Sequence, residues 1–195
     1  VSRGLGDVYK RQAQHFKGCA KYFLDDYEGA IEDYSKALEI DPKNSYALKN
    51  RGDSKYFLKD YEGAIEDFSR ALELNSQLLD AYQLRGSAKY FLKDYEGAIE
   101  DFSKVLEIDP KRIDIFGCRG DAKNALDDYK GAIEDYSKVL EIDTKNSIAL
   151  KSRGESKYFL KNYAGAIEDF SRAIEINPQL FLSLIHISEP TRHHV

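Results

Sequence analysis

The sequence predicts an all-α fold, an α-solenoid of five stacked 34-residue helix-turn-helix repeats, and three observations carry that prediction. Gly18, Gly52, Gly86, Gly120 and Gly154 stand 34 residues apart. The fifteen residues from Lys55 to Ser69, KYFLKDYEGAIEDFS, return unchanged from Lys89 to Ser103. Within each period, apolar residues recur at helical spacing twice over. A helix pair of this size cannot bury its apolar face alone, so neighbouring pairs must stack. Five pairs exceed the roughly three that such an array needs to stand by itself.

The repeats run 13–44, 45–78, 79–112, 113–146 and 147–180. With positions numbered 1 to 34 over Ser45 to Leu78, the first helix carries Ala47, Leu48, Ser54, Phe57 and Leu58 at helical spacing. A turn follows at Asp26, Asp60, Asp94, Asp128 or Asn162, all residue types that cap a helix N-terminus. The second helix carries Tyr61, Ala64, Ile65, Phe68, Ala71, Leu72 and Leu74. It stops at Asp41-Pro42, Asn75-Ser76, Asp109-Pro110, Asp143-Thr144 and Asn177-Pro178, where proline or a small hydroxyl residue ends propagation.

Packing explains the remaining regularities. Glycine at position 8 and alanine at position 20 (Ala30, Ala64, Ala98, Ala132, Ala166) remove bulk where the two helices cross. The aromatic at position 24 (Tyr34, Phe68, Phe102, Tyr136, Phe170) fills the space above the crossing. Position 27 is small or β-branched because the next repeat's first helix lies against it.

The ends do not repeat. Residues 2–12, SRGLGDVYKRQ, can be encoded by a string whose reverse complement reads LSLIHISEPTR, residues 182–192, without a mismatch. That string looks like a transposase adapter from a sequencing library. Residues 1–12 and 182–195 are therefore expected to be adapter-derived scars, and the natural part, 13–181, a fragment of a longer protein. On that reading the apolar patch Leu182 to Ile187 is no targeting signal, and His193 and His194 are no metal site.

Glycine at 8, Tyr at 17, Ala at 20, Phe or Tyr at 24, Ala at 27 and Pro at 32 together resemble the tetratricopeptide repeat family over about 169 residues. The resemblance implies a right-handed superhelix whose concave groove is lined by the first helices and holds a peptide or partner protein. One departure stands out. Where the family often has a large apolar residue at position 11, this chain has Lys21, Lys55, Lys89, Lys123 and Lys157. Position 7 is Arg51, Arg85, Arg119 and Arg153, with Lys17 in the first repeat. Positions 7 and 11 lie one turn apart and form a basic ladder. Either the ladder neutralises the Glu-Asp pairs at 22 and 23 on the second helices, or it receives an acidic ligand.

The resemblance places positions 2, 5, 9 and 12 of the first helices on the concave side. The candidate peptide-binding residues are Tyr22; then Tyr46, Lys49, Asp53 and Tyr56; then Gln83, Ser87 and Tyr90; then Asp121 and Asn124; then Lys151, Glu155 and Tyr158. Tyrosine offers rigid apolar area with a polar tip, which suits peptide contact. The competing reading packs the tyrosines between adjacent helices. In the fourth repeat Asn124-Ala125 replaces Tyr-Phe, and Gly117 stands where other repeats have Lys49, Gln83 or Lys151. The missing volume suggests a notch between Tyr90 and Tyr158, unless it is drift in a tolerant repeat. A lysine-and-asparagine clamp for a terminal carboxylate, known in some members of the family, does not fit, because position 9 is Asp53, Asp121 and Glu155 in three repeats. A basic or mixed-charge segment fits better.

Composition narrows the function further. Net charge is −5, and about −7 once Arg3, Lys10, Arg11, Arg192, Asp7 and Glu189 in the ends are set aside. An acidic surface argues against nucleic acid, and no run of 18 apolar residues exists to span a membrane. Cys19 and Cys118 lack metal-ligand spacing and make a reducing, cytoplasmic compartment the easier fit. His15 is the only histidine in the natural part, so the commonest general base and multi-histidine metal sites are missing. Neither a GxGxxG nor a P-loop occurs. The expected function is a non-enzymatic interaction module without cofactor or metal. The alternative is a regulatory or substrate-docking arm of an enzyme whose catalytic domain lies elsewhere, and a third reading is an array that self-associates through exposed end repeats.

Overall fold

The computed structural model describes residues 2–181, with side chains from 6 to 180. The predicted tail scar 182–195, with its apolar patch and two histidines, lies outside the described residues. Within them the chain forms α1 (Ser2–Tyr22), α2 (Tyr27–Ile40), α3 (Ser45–Phe57), α4 (Tyr61–Leu74), α5 (Leu79–Phe91), α6 (Tyr95–Ile108), α7 (Ile113–Ala125), α8 (Tyr129–Ile142), α9 (Ser147–Phe159), α10 (Tyr163–Ile176) and a closing 3₁₀ turn, Pro178–Phe181. The five predicted hairpins are all present. They divide into two compact units, Val1–Asp109 with three hairpins and Pro110–Val195 with two.

Each hairpin turn is built the same way. In the second repeat Asp60 N–H donates back to Lys55 C=O at 2.9 Å, and Lys59 N–H to Tyr56 C=O, closing α3. That geometry puts Lys59 in the left-handed region at φ 63°, as it does Asp25, Lys93, Asp127 and Lys161 in the other repeats. None of these is glycine, so each turn stores backbone strain of about 1 kcal/mol. Asp60 then caps α4 as predicted, its carboxylate accepting from Gly63 N–H at 3.0 Å. A side chain at Gly63 would put its Cβ 2.3 Å from that carboxylate. The glycine at position 19 is thus part of the cap.

Glycine at position 8 makes way for a ring and not for a crossing backbone. A Cβ on Gly52 would lie 2.8 Å from the Phe68 ring, and the same holds for Gly18 against Tyr34 and Gly120 against Tyr136. These rings are buried, and the core of each unit continues from them through residues such as Ala71, Leu48 and Leu38 in the first and Val139, Ala149 and Ala173 in the second.

The basic ladder is committed internally. Arg51 grips Asp67 with two parallel hydrogen bonds, Nε to Oδ2 at 2.8 Å and Nη2 to Oδ1 at 2.6 Å. Lys55 meets the same carboxylate at 2.8 Å, and its ammonium donates to Gly63 C=O. Arg85, Arg119 and Arg153 repeat this lock on Asp101, Asp135 and Asp169. Arg51 also reaches Ser35 of the preceding repeat at 3.1 Å, as Arg153 reaches Ser137, so one guanidinium ties three helices. Burial alone would raise the pKa of Asp169, but hydrogen bonds from Arg153 and Lys157 outweigh it and hold the carboxyl below its ordinary value. Only the Asp of each Glu-Asp pair takes part; Glu66 is exposed. In the first repeat Lys17 stands for the arginine, 3.9 Å from Asp33. Asp33 keeps Lys21 at 2.8 Å, with Lys36 at 3.9 Å, but lacks the two parallel bonds that an arginine gives its counterparts.

Candidate functional site

Positions 7, 8 and 11 of each first helix serve the second helix, which leaves positions 2, 5, 9 and 12 for another role. Inside each unit, every gap between adjacent first helices opens into a cavity at those positions. Between α1 and α3 a cavity of about 170 Å³ is bordered by Cys19, Tyr22, Lys49 and Asp53. Between α3 and α5 one of about 360 Å³ is bordered by Tyr46, Lys49, Leu78 and Asp80. Between α7 and α9 one of about 270 Å³ is bordered by Ile113, Gly117, Asp121, Tyr136, Ile148 and Ser152. Each has room for a side chain.

The predicted residues divide by accessibility. Tyr46 at 59% and Tyr158 at 55% are exposed, although Tyr158 also packs edge-on against Tyr163. Tyr22, Tyr56 and Tyr90 are half-buried in an aromatic seam. Each packs edge-on against the tyrosine that opens its own second helix, as Tyr56 does on Tyr61 with centroids 5.5 Å apart. The seam is completed by parallel stacks across repeats, Tyr27 on Phe57, Tyr61 on Phe91 and Tyr129 on Phe159, at 4.9 to 5.2 Å. These stacks were not anticipated from the sequence, although Tyr-Phe at 12 and 13 in four of the repeats and Tyr at 17 was their signal. Burial and the charge of Asp53 push the Tyr22 hydroxyl up to about 12, so it is a neutral donor.

The charged candidates pair along their own helices. Lys49 meets Asp53 at 2.7 Å, and Lys151 meets Glu155 at 2.7 Å. Asp53 is only 5% exposed, and its burial raises its pKa despite Lys49. Gln83 and Ser87 are half-buried on α5. Asn124 accepts a hydrogen bond from Ser156 Oγ at 3.0 Å, tying α7 to α9. The cavity in the fourth repeat lies over Gly117 and Asp121, one to two turns before Asn124, and is bordered by neither Asn124 nor Tyr158. Asp121 accepts from the Tyr136 hydroxyl at 2.7 Å.

Groups with chemical potential elsewhere are quiet. Burial lowers the pKa of His15, which packs against Tyr34. Burial pushes the Cys118 thiol up to about 11. Among the described residues no cluster of His, Cys, Asp and Glu has metal-binding geometry, and no helix is long and apolar enough to cross a membrane.

Comparison with known proteins agrees with this architecture. One tetratricopeptide repeat model matches residues 5–44, 45–78 and 79–112, and a second matches 119–146 and 152–180. Similar solved structures include MamA, at TM-score 0.82 and 24% identity over 87% of this chain and 93% of that one. YrrB, described as a TPR protein with an unusual peptide-binding site, matches at TM-score 0.83 and 20% identity over 90% and 91%. MamA residues 41 to the end from Desulfovibrio magneticus RS-1 matches at 0.82 and 18% over 87% and 96%. At these identities the likeness shows the fold. No match was found among curated protein sequences.

Proposed function

The chain belongs to the tetratricopeptide repeat family, whose members serve as protein-interaction modules, and we propose that it binds an extended peptide segment of a partner protein along its first helices. The observation that carries this reading is that, within each unit, the gaps between successive first helices open into cavities with room for a side chain. They are bordered by exposed Tyr46 in the first unit and exposed Ile148 in the second, where Tyr158 is exposed on the same helix as Ile148. A rigid aromatic beside an open cavity supplies contact area at low entropic cost, and the internal lock makes no demand on positions 2 and 5 of this face. The unusual peptide-binding site described for YrrB, a protein of similar fold, is consistent with it. The acidic balance and the carboxylates at position 9 favour a basic or mixed-charge segment. The chain is read as non-catalytic and without cofactor.

The test is selection from a displayed random-peptide library on the full chain, followed by affinity measurement with Tyr46→Ala and Tyr158→Ala. Enriched peptides that lose about tenfold or more in affinity with either variant support the reading. A library that yields no saturable binder, or binders indifferent to both tyrosines, refutes it.

Self-association is a second reading with one observation behind it. Phe23 is 82% exposed, because no preceding tyrosine stacks on it, and Tyr163, the matching half of such a stack, is exposed too. Concentration-dependent sedimentation that Phe23→Ser abolishes would support head-to-tail pairing. The division into repeats at 13–181 and adapter-derived ends remains our proposal. Helix α1 continues through residues 2–12, but residues 6–10 are exposed and Arg11, paired with Asp41 at 2.6 Å, is the first to anchor. Deleting residues 1–10 should leave the unfolding temperature unchanged.

A further inference from the structure

Three repeats carry an acidic residue at position 9 of the first helix inside a cavity-bearing unit, and two of them neutralise it themselves. In repeat 2 Lys49, one turn earlier, covers Asp53; in repeat 5 Lys151 covers Glu155. In repeat 4 the residue one turn before Asp121 is Gly117. That substitution removes both the cation and its volume. A Cβ built on Gly117 meets nothing within 4 Å, and the space above it is the cavity of about 270 Å³. Asp121 is consequently exposed where Asp53 is buried, and its hydrogen-bond partner among the described residues is the neutral Tyr136 hydroxyl. The other carboxylate at the cavity, Asp114, is already held by Arg112 through bonds of 3.0 and 2.7 Å.

We propose that this cavity is a specificity pocket for the side chain of a lysine or arginine in the bound segment, the guest cation taking the place that Lys49 and Lys151 fill in their own repeats. Ile113, Val139, Ile148 and Ala149 line the walls along which the guest's methylene stem lies, and the Asp121 carboxylate receives its head group. The crowding that removes part of Asp121's hydration raises its pKa, and the negative charge of Glu155 adds to this, outweighing the Tyr136 hydrogen bond and the more distant charge of Lys151, which is itself paired with Glu155. A partner cation would relieve both. The inference rests on the peptide-binding reading and deepens it to one residue of the ligand.

The test uses nuclear magnetic resonance titration of the full chain with three blocked heptapeptides, identical except for a central lysine, norleucine or glutamate. The lysine peptide should shift the amides of Gly117, Asp121 and Ile148 and bind about tenfold more tightly than the norleucine peptide, the increment expected of one charge-assisted hydrogen bond. The decisive variant is Gly117→Lys, which gives repeat 4 its own cation. Repeats 2 and 5 accept lysine at this position, so the variant folds, and it should lose both the shifts and the lysine preference. Asp121→Asn should lose the preference alone. Equal affinity for lysine and norleucine peptides, unchanged binding by Gly117→Lys, or no shift at these amides would overturn the inference. Library peptides that still depend on Tyr46 or Tyr158 would in that event leave the wider reading standing.

Discussion

Repeats 2 and 4 contain the same internal lock and carry different faces above it. In both, an arginine at position 7 and a lysine at position 11 close on the aspartate at 23, and an aromatic at 24 lies on the glycine at 8. On the face away from the lock, repeat 2 fills positions 2, 5 and 9 with Tyr46, Lys49 and Asp53, whereas repeat 4 has Asp114, Gly117 and Asp121. The difference teaches that scaffold and surface are separable. The lock faces the second helix and positions 2 and 5 border the cavities between first helices, so these can change without disturbing it; position 9 touches both, because Asp121 accepts from the hydroxyl of Tyr136.

The largest effect should come from breaking what the two repeats share. Asp67→Ala leaves Arg51 and Lys55 without their acceptor, and Asp135→Ala does the same to Arg119 and Lys123. Each should cost about 3 to 5 kcal/mol in chemical denaturation of the full chain. Similar losses in the two repeats confirm one scaffold; a loss under about 1 kcal/mol in either would show that the lock is ornamental there.

Two glycines three residues apart in α7 sharpen the contrast. Gly120→Ala drives a methyl into the Tyr136 ring, 2.8 Å away, and should destabilise by about 1 to 3 kcal/mol. Gly117→Ala meets nothing and restores helix propensity, so it should stabilise by about 0.5 to 1 kcal/mol. Equal signs in thermal unfolding would dissolve the distinction between lock and face.

A gain is expected where the lock is incomplete. Lys17→Arg supplies Asp33 with the two parallel hydrogen bonds that the other repeats have, in place of a lysine 3.9 Å away, and should raise stability by about 1 kcal/mol. An unchanged midpoint would mean that Lys21 alone satisfies Asp33.

The smallest effect is a difference in acid sensitivity. The folded pKa of Asp169 lies below its ordinary value, so its stabilisation is complete above about pH 4 and is lost as pH falls through the lowered value. Asp121 is shifted upward, so its protonation favours the folded state as pH falls through its raised value. Asp169→Asn should therefore flatten the stability curve below about pH 4, and Asp121→Asn should flatten it above that, in denaturant titrations at stepped pH. Parallel curves for the two variants would contradict the assignment of one aspartate to the lock and the other to the open cavity.

The sequence by itself determined the fold. Its period, its caps at Asp26, Asp60, Asp94, Asp128 and Asn162, and its helix stops are local features, each set by a residue's own conformational preference or by a partner three or four positions away. It also located the fourth repeat as the odd one, because Gly117 and Asn124 differ from their counterparts at a fixed register. Only the tertiary structure decided which charges were spent. Arg51 and Asp67 are 16 residues apart on different helices, and nothing in their spacing says whether the guanidinium turns inward or toward a ligand. The same holds for Asp53 and Asp121, which occupy one register position. One is buried beneath a lysine and the other stands open, because burial depends on the volume of a neighbour and not on the residue's own place in the repeat.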